Sequence, residues 1–174
     1  VPTYGTMAVA QMTLALLLEI CHHVGDHNTA VKQGGWTKSK DFCFWNYPLI
    51  ELEGKTMGII GFGRIAQAVA QKAHFGFGMQ VSFYDPYPPS EDVVNKFNAT
   101  KYDTIEEVLK DADYVTLHCP GGGANTNLMN AERFGMMQKH AFLINTARGD
   151  VVDEAALVDA LKNGTIAGAG LDVF

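Results

Sequence analysis

The feature that most constrains this chain is a glycine-rich turn between an apolar run and a helix-like repeat. Residues 57–60 form the apolar run, and Gly61, Gly63 and Ala66 follow it in a G-x-G-x-x-A pattern. Small apolar residues then recur at three- and four-residue spacing, which predicts a helix. Strand, glycine turn and helix in this order are typical of a dinucleotide-binding unit, although a glycine turn that binds nothing remains the alternative.

The small residues of this turn have distinct physical roles in such a unit. Gly61 permits the tight turn, Gly63 lets the backbone approach a pyrophosphate, and Ala66 lets the helix pack close to the strand. The first N–H groups of the helix and the positive end of its dipole then face the phosphates. We therefore expect Gly61 and Gly63 to take part in cofactor binding.

Short apolar runs alternate with amphipathic segments along the rest of the chain. Runs over residues 79–84, 114–118, 141–144 and 167–171 predict strands. Strands that alternate with helices form parallel sheets whose two faces are both covered by helices. The sequence therefore predicts an α/β fold, with a doubly wound parallel sheet and helices on both faces.

Polar and special residues follow the predicted strands at the points where they end. The carboxyl ends of parallel strands meet at one edge of the sheet, and ligands bind outside that edge. A pattern without function would scatter such residues along the chain. We therefore expect a dinucleotide cleft built from the strand-end residues, which are Gly61, Asp85, His118, Cys119, Pro120, Asn145, Thr146, Ala147, Arg148 and Asp172.

Asp85 is the candidate ribose ligand. It follows the second apolar run, about 20 residues beyond the glycine turn, where an acidic residue can hydrogen-bond a ribose 2′-hydroxyl. Its charge would repel the 2′-phosphate of NADP, and Pro86 rather than a basic residue comes next. NAD is therefore the favoured cofactor, while an Asp that only begins a turn remains the alternative.

Arg148, His118 and Cys119 are the candidate reactive side chains. A guanidinium binds a carboxylate through two parallel hydrogen bonds, so Arg148 is a candidate to orient an acid substrate, with a surface salt bridge as the alternative. His118 is placed for proton donation, but no carboxylate follows closely to orient its ring, which favours packing on the cofactor or backbone. Cys119 lacks an evident activating base, so we expect its backbone to contact the cofactor and its thiol to be unreactive.

Charge and cysteine content exclude several kinds of partner. The 174 residues suit one domain, and the net charge of −6 argues against nucleic acid and against an anionic membrane surface. The three scattered cysteines fit a reducing cytoplasm better than a disulfide framework. We expect no metal site, because His22 and His23 lack further ligands at a suitable spacing.

The N-terminal region predicts a helix over residues 7–23 after a loop over residues 1–6, with Thr6 as its cap. Its apolar run, residues 7–21, is interrupted by Gln11, Thr13 and Glu19. A membrane span needs 18 or more apolar residues, so we expect a helix buried between packed elements of the domain.

Residues 36–52 have no clear period and are rich in aromatic side chains. Seventeen residues without periodicity are unusual inside a compact domain. Such an arm either folds onto the core or packs against a partner, and the partner is the favoured alternative.

Five segments together carry a resemblance to a known family. They are Gly61-Phe62-Gly63-Arg64-Ile65-Ala66, Tyr84-Asp85-Pro86, Leu117-His118-Cys119-Pro120, Asn145-Thr146-Ala147-Arg148-Gly149 and Ala169-Gly170-Leu171-Asp172-Val173-Phe174. In this order they resemble the NAD-binding domain of the D-2-hydroxyacid dehydrogenases, which include glycerate, phosphoglycerate, D-lactate and glyoxylate/hydroxypyruvate enzymes. The resemblance implies a Rossmann-type domain over residues 1–174, with the substrate domain outside this chain.

The resemblance also implies roles for individual residues. Arg148 matches the family's catalytic arginine, which binds the substrate carboxylate. Thr146 and Ala147 would line the nicotinamide side with Cys119, and Asp172 would bond near the carboxamide. The cofactor-binding residues are thus Gly61, Gly63, Arg64, Ile65, Asp85, His118, Cys119, Pro120, Thr146, Ala147 and Asp172.

The activity implied by the resemblance is hydride transfer between NAD(H) and C2 of a small 2-hydroxy or 2-oxo acid, in a homodimer formed through this domain. The family's acid–base Glu and His lie beyond the position of Phe174, so we expect an enzyme fragment with little or no activity alone. An NAD-sensing, corepressor-like binding protein of the same fold is the alternative.

Overall fold

The computed structural model describes residues 5–174, which form alternating helices and strands. Two short 3₁₀ turns, Gly123–Asn125 and Gly149–Val151, lie in loops. The predicted loop over residues 1–6 lies largely outside the described residues. The elements are α1 (Gly5–His22), α2 (Val24–Lys32), β1 (Thr56–Ile60), α3 (Arg64–Phe77), β2 (Gln80–Tyr84), α4 (Glu91–Lys96), β3 (Thr100–Lys101), α5 (Ile105–Asp111), β4 (Tyr114–Leu117), α6 (Ala131–Met136), β5 (Phe142–Asn145), α7 (Glu154–Lys162) and β6 (Gly168–Leu171).

The six strands of residues 5–174 form one parallel sheet in the order β3-β2-β1-β4-β5-β6. The chain moves outward from β1 to β3 and then returns to the other side of β1 at β4. The strand order therefore reverses between β1 and β4, which is where such sheets bind ligands. This topology confirms the predicted doubly wound α/β fold.

Two apolar clusters cover the two faces of the sheet. Met57, Ile59 and Phe83 belong to the cluster on the face of α1 and α3. Ile60 and Val115 belong to the other cluster, which includes side chains of α5, α6 and α7. Successive side chains of β1 point to opposite faces, and both are buried, so β1 is apolar without alternation.

Helix α1 differs from its prediction in two respects. It begins at Gly5, so Thr6 lies inside the helix instead of capping it. Only one stripe is buried, represented by Ala10, Leu14 and Leu17, whereas Met7 and Met12 on the other side are exposed. With a mean hydropathy of 1.3 over 18 residues, α1 is long and apolar enough to cross a membrane. The polar interruptions therefore do not exclude a span, and it is the packing on α3, β5 and β6 that marks α1 as a helix of this domain.

The arm, residues 36–52, has no regular structure and keeps most of its aromatic side chains exposed. Phe42 is 92% exposed and Trp45 65%, whereas the core begins at Leu52. Local contacts shape the arm: the Asn46 N–H donates to His27 Nε2 (3.1 Å), and Trp36 meets Phe44 edge to face. The arm as far as residue 49 therefore lies off the core, whereas Ile50 and Leu52 at its end pack on the apolar cluster of α1 and α3.

Candidate functional site

A cleft of about 600 Å³ lies outside the carboxyl ends of β1, β2 and β4. Tyr84, Ile105 and Leu128 supply apolar surface to it. The sheet topology alone brings these strand ends together, because all three strands are parallel neighbours or next neighbours. The predicted residues that line the cleft are Gly61, Gly63, Asp85, His118, Cys119 and Pro120.

The two glycines of the turn, Gly61 and Gly63, are required for different reasons. Gly61 has φ +87°, and a Cβ there would lie 2.9 Å from backbone atoms of both His118 and Cys119. Gly63 has an ordinary φ of −74°, and a Cβ there would have no heavy atom of the described residues within 4 Å. The open space at Gly63 lies at the start of α3. The first N–H groups of a helix have no carbonyl partner inside that helix, so they can bind a ligand. The geometry therefore fits an approaching pyrophosphate.

Asp85 connects the glycine turn to the loop after β2. Its Oδ2 accepts a hydrogen bond from the Phe62 N–H (2.6 Å), and its Oδ1 accepts one from the Tyr87 N–H (2.7 Å). The turn-forming role is thus present in the structure. A carboxylate has about four acceptor sites, so these two bonds leave capacity for a ribose hydroxyl. The ribose contact remains a prediction.

His118 is held as a neutral imidazole. Burial lowers its pKa from 6.5 to about 4, because the charged ring would lose its hydration. Its Nε2 lies 3.0 Å from Thr116 Oγ1 on the same strand end. A ring that is uncharged at neutral pH suits packing beside a ligand better than proton donation.

This burial predicts a specific acid sensitivity. Between pH 6.5 and 4 the unfolded chain binds a proton at His118 that the folded chain does not, so this side chain lowers the free energy of unfolding as the pH falls. We expect His118→Gln to lose about 2–3 kcal/mol less stability than the wild type between pH 7 and pH 4. Urea unfolding at both pH values measures this. An equal fall in the free energy of unfolding for the wild type and the variant would show that His118 is protonated in the folded state at pH 4.

Cys119 follows His118 and is also kept in its neutral form. Burial raises the pKa of the thiol, and the carboxylates of Asp150 and Asp85 raise it further. A thiol of raised pKa carries little thiolate at neutral pH, and the thiolate is the nucleophile. That Cys119 is not a nucleophile stays a prediction, which the raised pKa of its thiol supports.

Asn145 organises the turn that carries Thr146, Ala147 and Arg148. Its buried side chain accepts a hydrogen bond from the Ala147 N–H (3.0 Å) and donates one to the Arg148 carbonyl (2.9 Å). Its position at a strand end was visible in the sequence, but these bonds were not predicted. An Asn that begins a tight turn is the local signal that was available.

The remaining predicted residues lie at the same edge of the sheet but outside the cleft volume. The Thr146 hydroxyl lies 2.9 Å from Thr13 Oγ1 of α1, so it points to the helix face. Arg148 is exposed, and its Nη1 donates to the Ala147 carbonyl (2.7 Å). The Asp172 N–H donates to the Asn145 carbonyl (3.0 Å), and Arg64 and Ile65 begin α3.

The comparison with protein families gives one match over nearly the whole chain. The family model described as "D-isomer specific 2-hydroxyacid dehydrogenase, NAD binding domain" matches residues 14–174. A hydroxypyruvate reductase of Blautia hydrogenotrophica is 47% identical over 174 residues, which are 99% of this chain and 52% of that protein. A glyoxylate reductase of Thermococcus litoralis is 41% identical, over 99% of this chain and 52% of its own length.

Solved structures agree with this match. The NAD complexed form of a D-isomer specific 2-hydroxyacid dehydrogenase from Lactobacillus delbrueckii ssp. bulgaricus aligns with a TM-score of 0.84 and 35% identity, over 100% of this chain and 50% of that one. The chain thus spans about half the length of the relatives it matches. The ordered strand-end residues, the cleft beside the glycine turn and the match over residues 14–174 lead to one conclusion: this chain belongs to the D-isomer specific 2-hydroxyacid dehydrogenase family, as its NAD-binding domain.

Proposed function

We propose that the protein containing this domain transfers a hydride between NAD(H) and C2 of a small 2-hydroxy or 2-oxo acid. The observation that carries the proposal is the place of Arg148, at the end of β5 and in contact with the loop that follows Pro120. NAD supplies or accepts the hydride when bound. The relatives are named as reductases and dehydrogenases, which favours this enzyme over the NAD-sensing alternative.

Arg148 is the proposed substrate-binding residue. Its guanidinium carries five N–H donors, and one bond to the Ala147 carbonyl leaves most of them available. A paired hydrogen bond would hold the substrate carboxylate and leave C2 directed to the cofactor cleft. The acid–base Glu and His implied by the family resemblance would come from the rest of the protein.

Asp85 is the proposed basis of a preference for NAD over NADP. Its backbone bonds fix the carboxylate at the mouth of the cleft, between the ends of β1 and β2. A fixed negative charge there would accept a bond from the 2′-hydroxyl and repel a 2′-phosphate.

We also propose a cytoplasmic homodimer that binds neither nucleic acid nor membrane. The exposed face of α1 and the exposed aromatic arm support a second copy as the partner of these surfaces. Three free cysteines, Cys21, Cys43 and Cys119, support a reducing compartment. The net charge of −6 disfavours polyanions.

The activity is tested with Arg148→Gln in the full-length protein. Loss of a paired, charged hydrogen bond is expected to lower kcat/KM for glyoxylate or hydroxypyruvate by roughly 10²–10⁴-fold, because charged hydrogen bonds contribute about 1.5–3 kcal/mol each. Arg148→Lys should recover only part of the loss, since an ammonium lacks the planar fork. The Kd for NADH should change little, because Arg148 lies outside the cleft.

Two results would contradict the proposal. One is full activity of Arg148→Gln, which would remove the arginine from substrate binding. The other is a failure of the wild-type full-length protein to oxidise NADH when small 2-oxo acids are supplied as substrates. The isolated 174-residue chain is expected to turn over little in the same assay, because the proposed acid and base lie outside it.

A further inference from the structure

The glycine segment, residues 121–123, is hydrogen-bonded to Asp150, a residue with no role in the proposed reaction. The Gly122 N–H donates to Asp150 Oδ2 (2.7 Å). The Asp150 carbonyl accepts a second bond from the Asn127 N–H (2.8 Å), at the other end of the same loop. Asp150 therefore contacts the loop through its side chain and its backbone.

The glycine segment also packs directly on the Arg148 turn. A Cβ at Gly121 would overlap Asp150 Oδ1 and lie 3.0 Å from both Cβ and Cγ of Arg148. No side chain fits at this position without displacing one of them. The Asp150 carboxylate is also close enough to contribute to the raised pKa of the Cys119 thiol. The loop and the turn thus meet across a close contact.

The glycine segment directly follows the part of the chain that forms one wall of the cleft. Three successive glycines lose more backbone entropy on ordering than any other tripeptide, and Gly122 and Gly123 both have positive φ. Cys119 and Pro120, which precede the segment, line the cofactor cleft. The Asn125 Nδ2 donates to the Pro120 carbonyl (2.9 Å) from within the loop, so it does not tie the loop to the sheet.

We propose that Asp150 is a positioning residue, whose carboxylate fixes the glycine segment to the Arg148 turn and so sets the distance between the Cys119–Pro120 wall of the cleft and Arg148. The inference rests on the proposed function only for the identity of the ligands on either side. Asp150 itself contacts neither NAD nor substrate. Its effect passes through the Gly122 amide to the backbone of the cleft wall.

The test compares Asp150→Ala with Asp150→Asn in the 174-residue chain. Alanine removes the acceptor of the Gly122 N–H, whereas the side-chain oxygen of asparagine keeps it without the charge. Two ligands are titrated: NADH, and ADP-ribose, which lacks the nicotinamide. We expect Asp150→Ala to raise the Kd for NADH about threefold to tenfold and to leave the Kd for ADP-ribose within about twofold. Asp150→Asn should bind NADH with a Kd close to that of the wild type.

Hydrogen exchange of the ligand-free chain gives an independent readout. Asp150→Ala should speed exchange at the amides of residues 121–127 and leave the amides of β1 and α7 unchanged. Unaltered exchange at residues 121–127 would overturn the proposal, and so would an unchanged Kd for NADH or an equal loss of affinity for both ligands. If the wild type bound no NADH, the cofactor assignment would fail, while the exchange measurement would still decide the role of Asp150.

Discussion

Gly61→Ala is expected to lower the free energy of unfolding by about 3 kcal/mol or more. The backbone at Gly61 has φ +87°, which residues with a Cβ rarely adopt. The added methyl would also lie 2.9 Å from the Cys119 nitrogen and from the carbonyl carbon and oxygen of His118. These are backbone atoms at the end of β4, so relief requires the strand end to move. Urea unfolding of the chain measures the loss.

Gly54→Ala is the matched control for this substitution. Gly54 also has a positive φ, +74°, but within residues 5–174 no heavy atom lies within 4 Å of a Cβ at this position. It therefore reports the cost of the backbone conformation alone, about 1 kcal/mol. If Gly61→Ala lowered the free energy of unfolding no more than Gly54→Ala does, this would contradict the close contact between the glycine turn and the end of β4.

Gly63→Val is expected to weaken NADH binding about 100-fold or more while the fold remains. The φ of −74° at Gly63 suits any residue, and the space around its Cβ is open in the free chain. A branched side chain would fill the space at the start of α3 that the pyrophosphate needs, and would separate it from the helix N–H groups. The stability should fall by at most about 1 kcal/mol, because Gly63 is the N-cap of α3 and valine is a poor cap.

Gly76→Val on the same helix provides the control for that effect. Gly76 is exposed near the end of α3, and in the part of the chain that the structure describes its added Cβ also meets no heavy atom within 4 Å. We expect an unchanged Kd for NADH in this variant. Equal affinities of Gly63→Val and Gly76→Val would place the pyrophosphate somewhere other than the glycine turn.

The sequence predicted the parts of the structure that depend on local chemistry. Thr104 and Glu107 form a capping box at the start of α5, and the side chains of Asn130 and Asp153 cap α6 and α7. The Thr-x-x-Glu spacing, and an Asn or Asp directly before a helix, indicate such caps from sequence alone. Short apolar runs predicted the strands, because strands of a covered parallel sheet are buried on both faces. The edge of the sheet at which the cleft lies was then predicted from the shared direction of the parallel strands alone.

Contacts between distant residues were beyond sequence reasoning. The Thr13–Thr146 hydroxyl contact joins residues 133 positions apart, and the bond from Gly122 to Asp150 spans 28. Neither leaves a periodic pattern. Helix α1 is apolar around most of its circumference, so periodicity did not show that one face, including Met7 and Met12, stays exposed.

The most direct test of the central claim is a titration of the 174-residue chain with NADH, followed residue by residue through its backbone amide NMR signals. The cleft at the carboxyl edge predicts saturable binding, with the largest shifts at Gly61, Gly63, Asp85 and Cys119. Signals of the arm and of α2 should not move. An absence of saturable shifts, or shifts confined to surfaces away from the ends of β1, β2 and β4, would contradict the cleft as the NAD site.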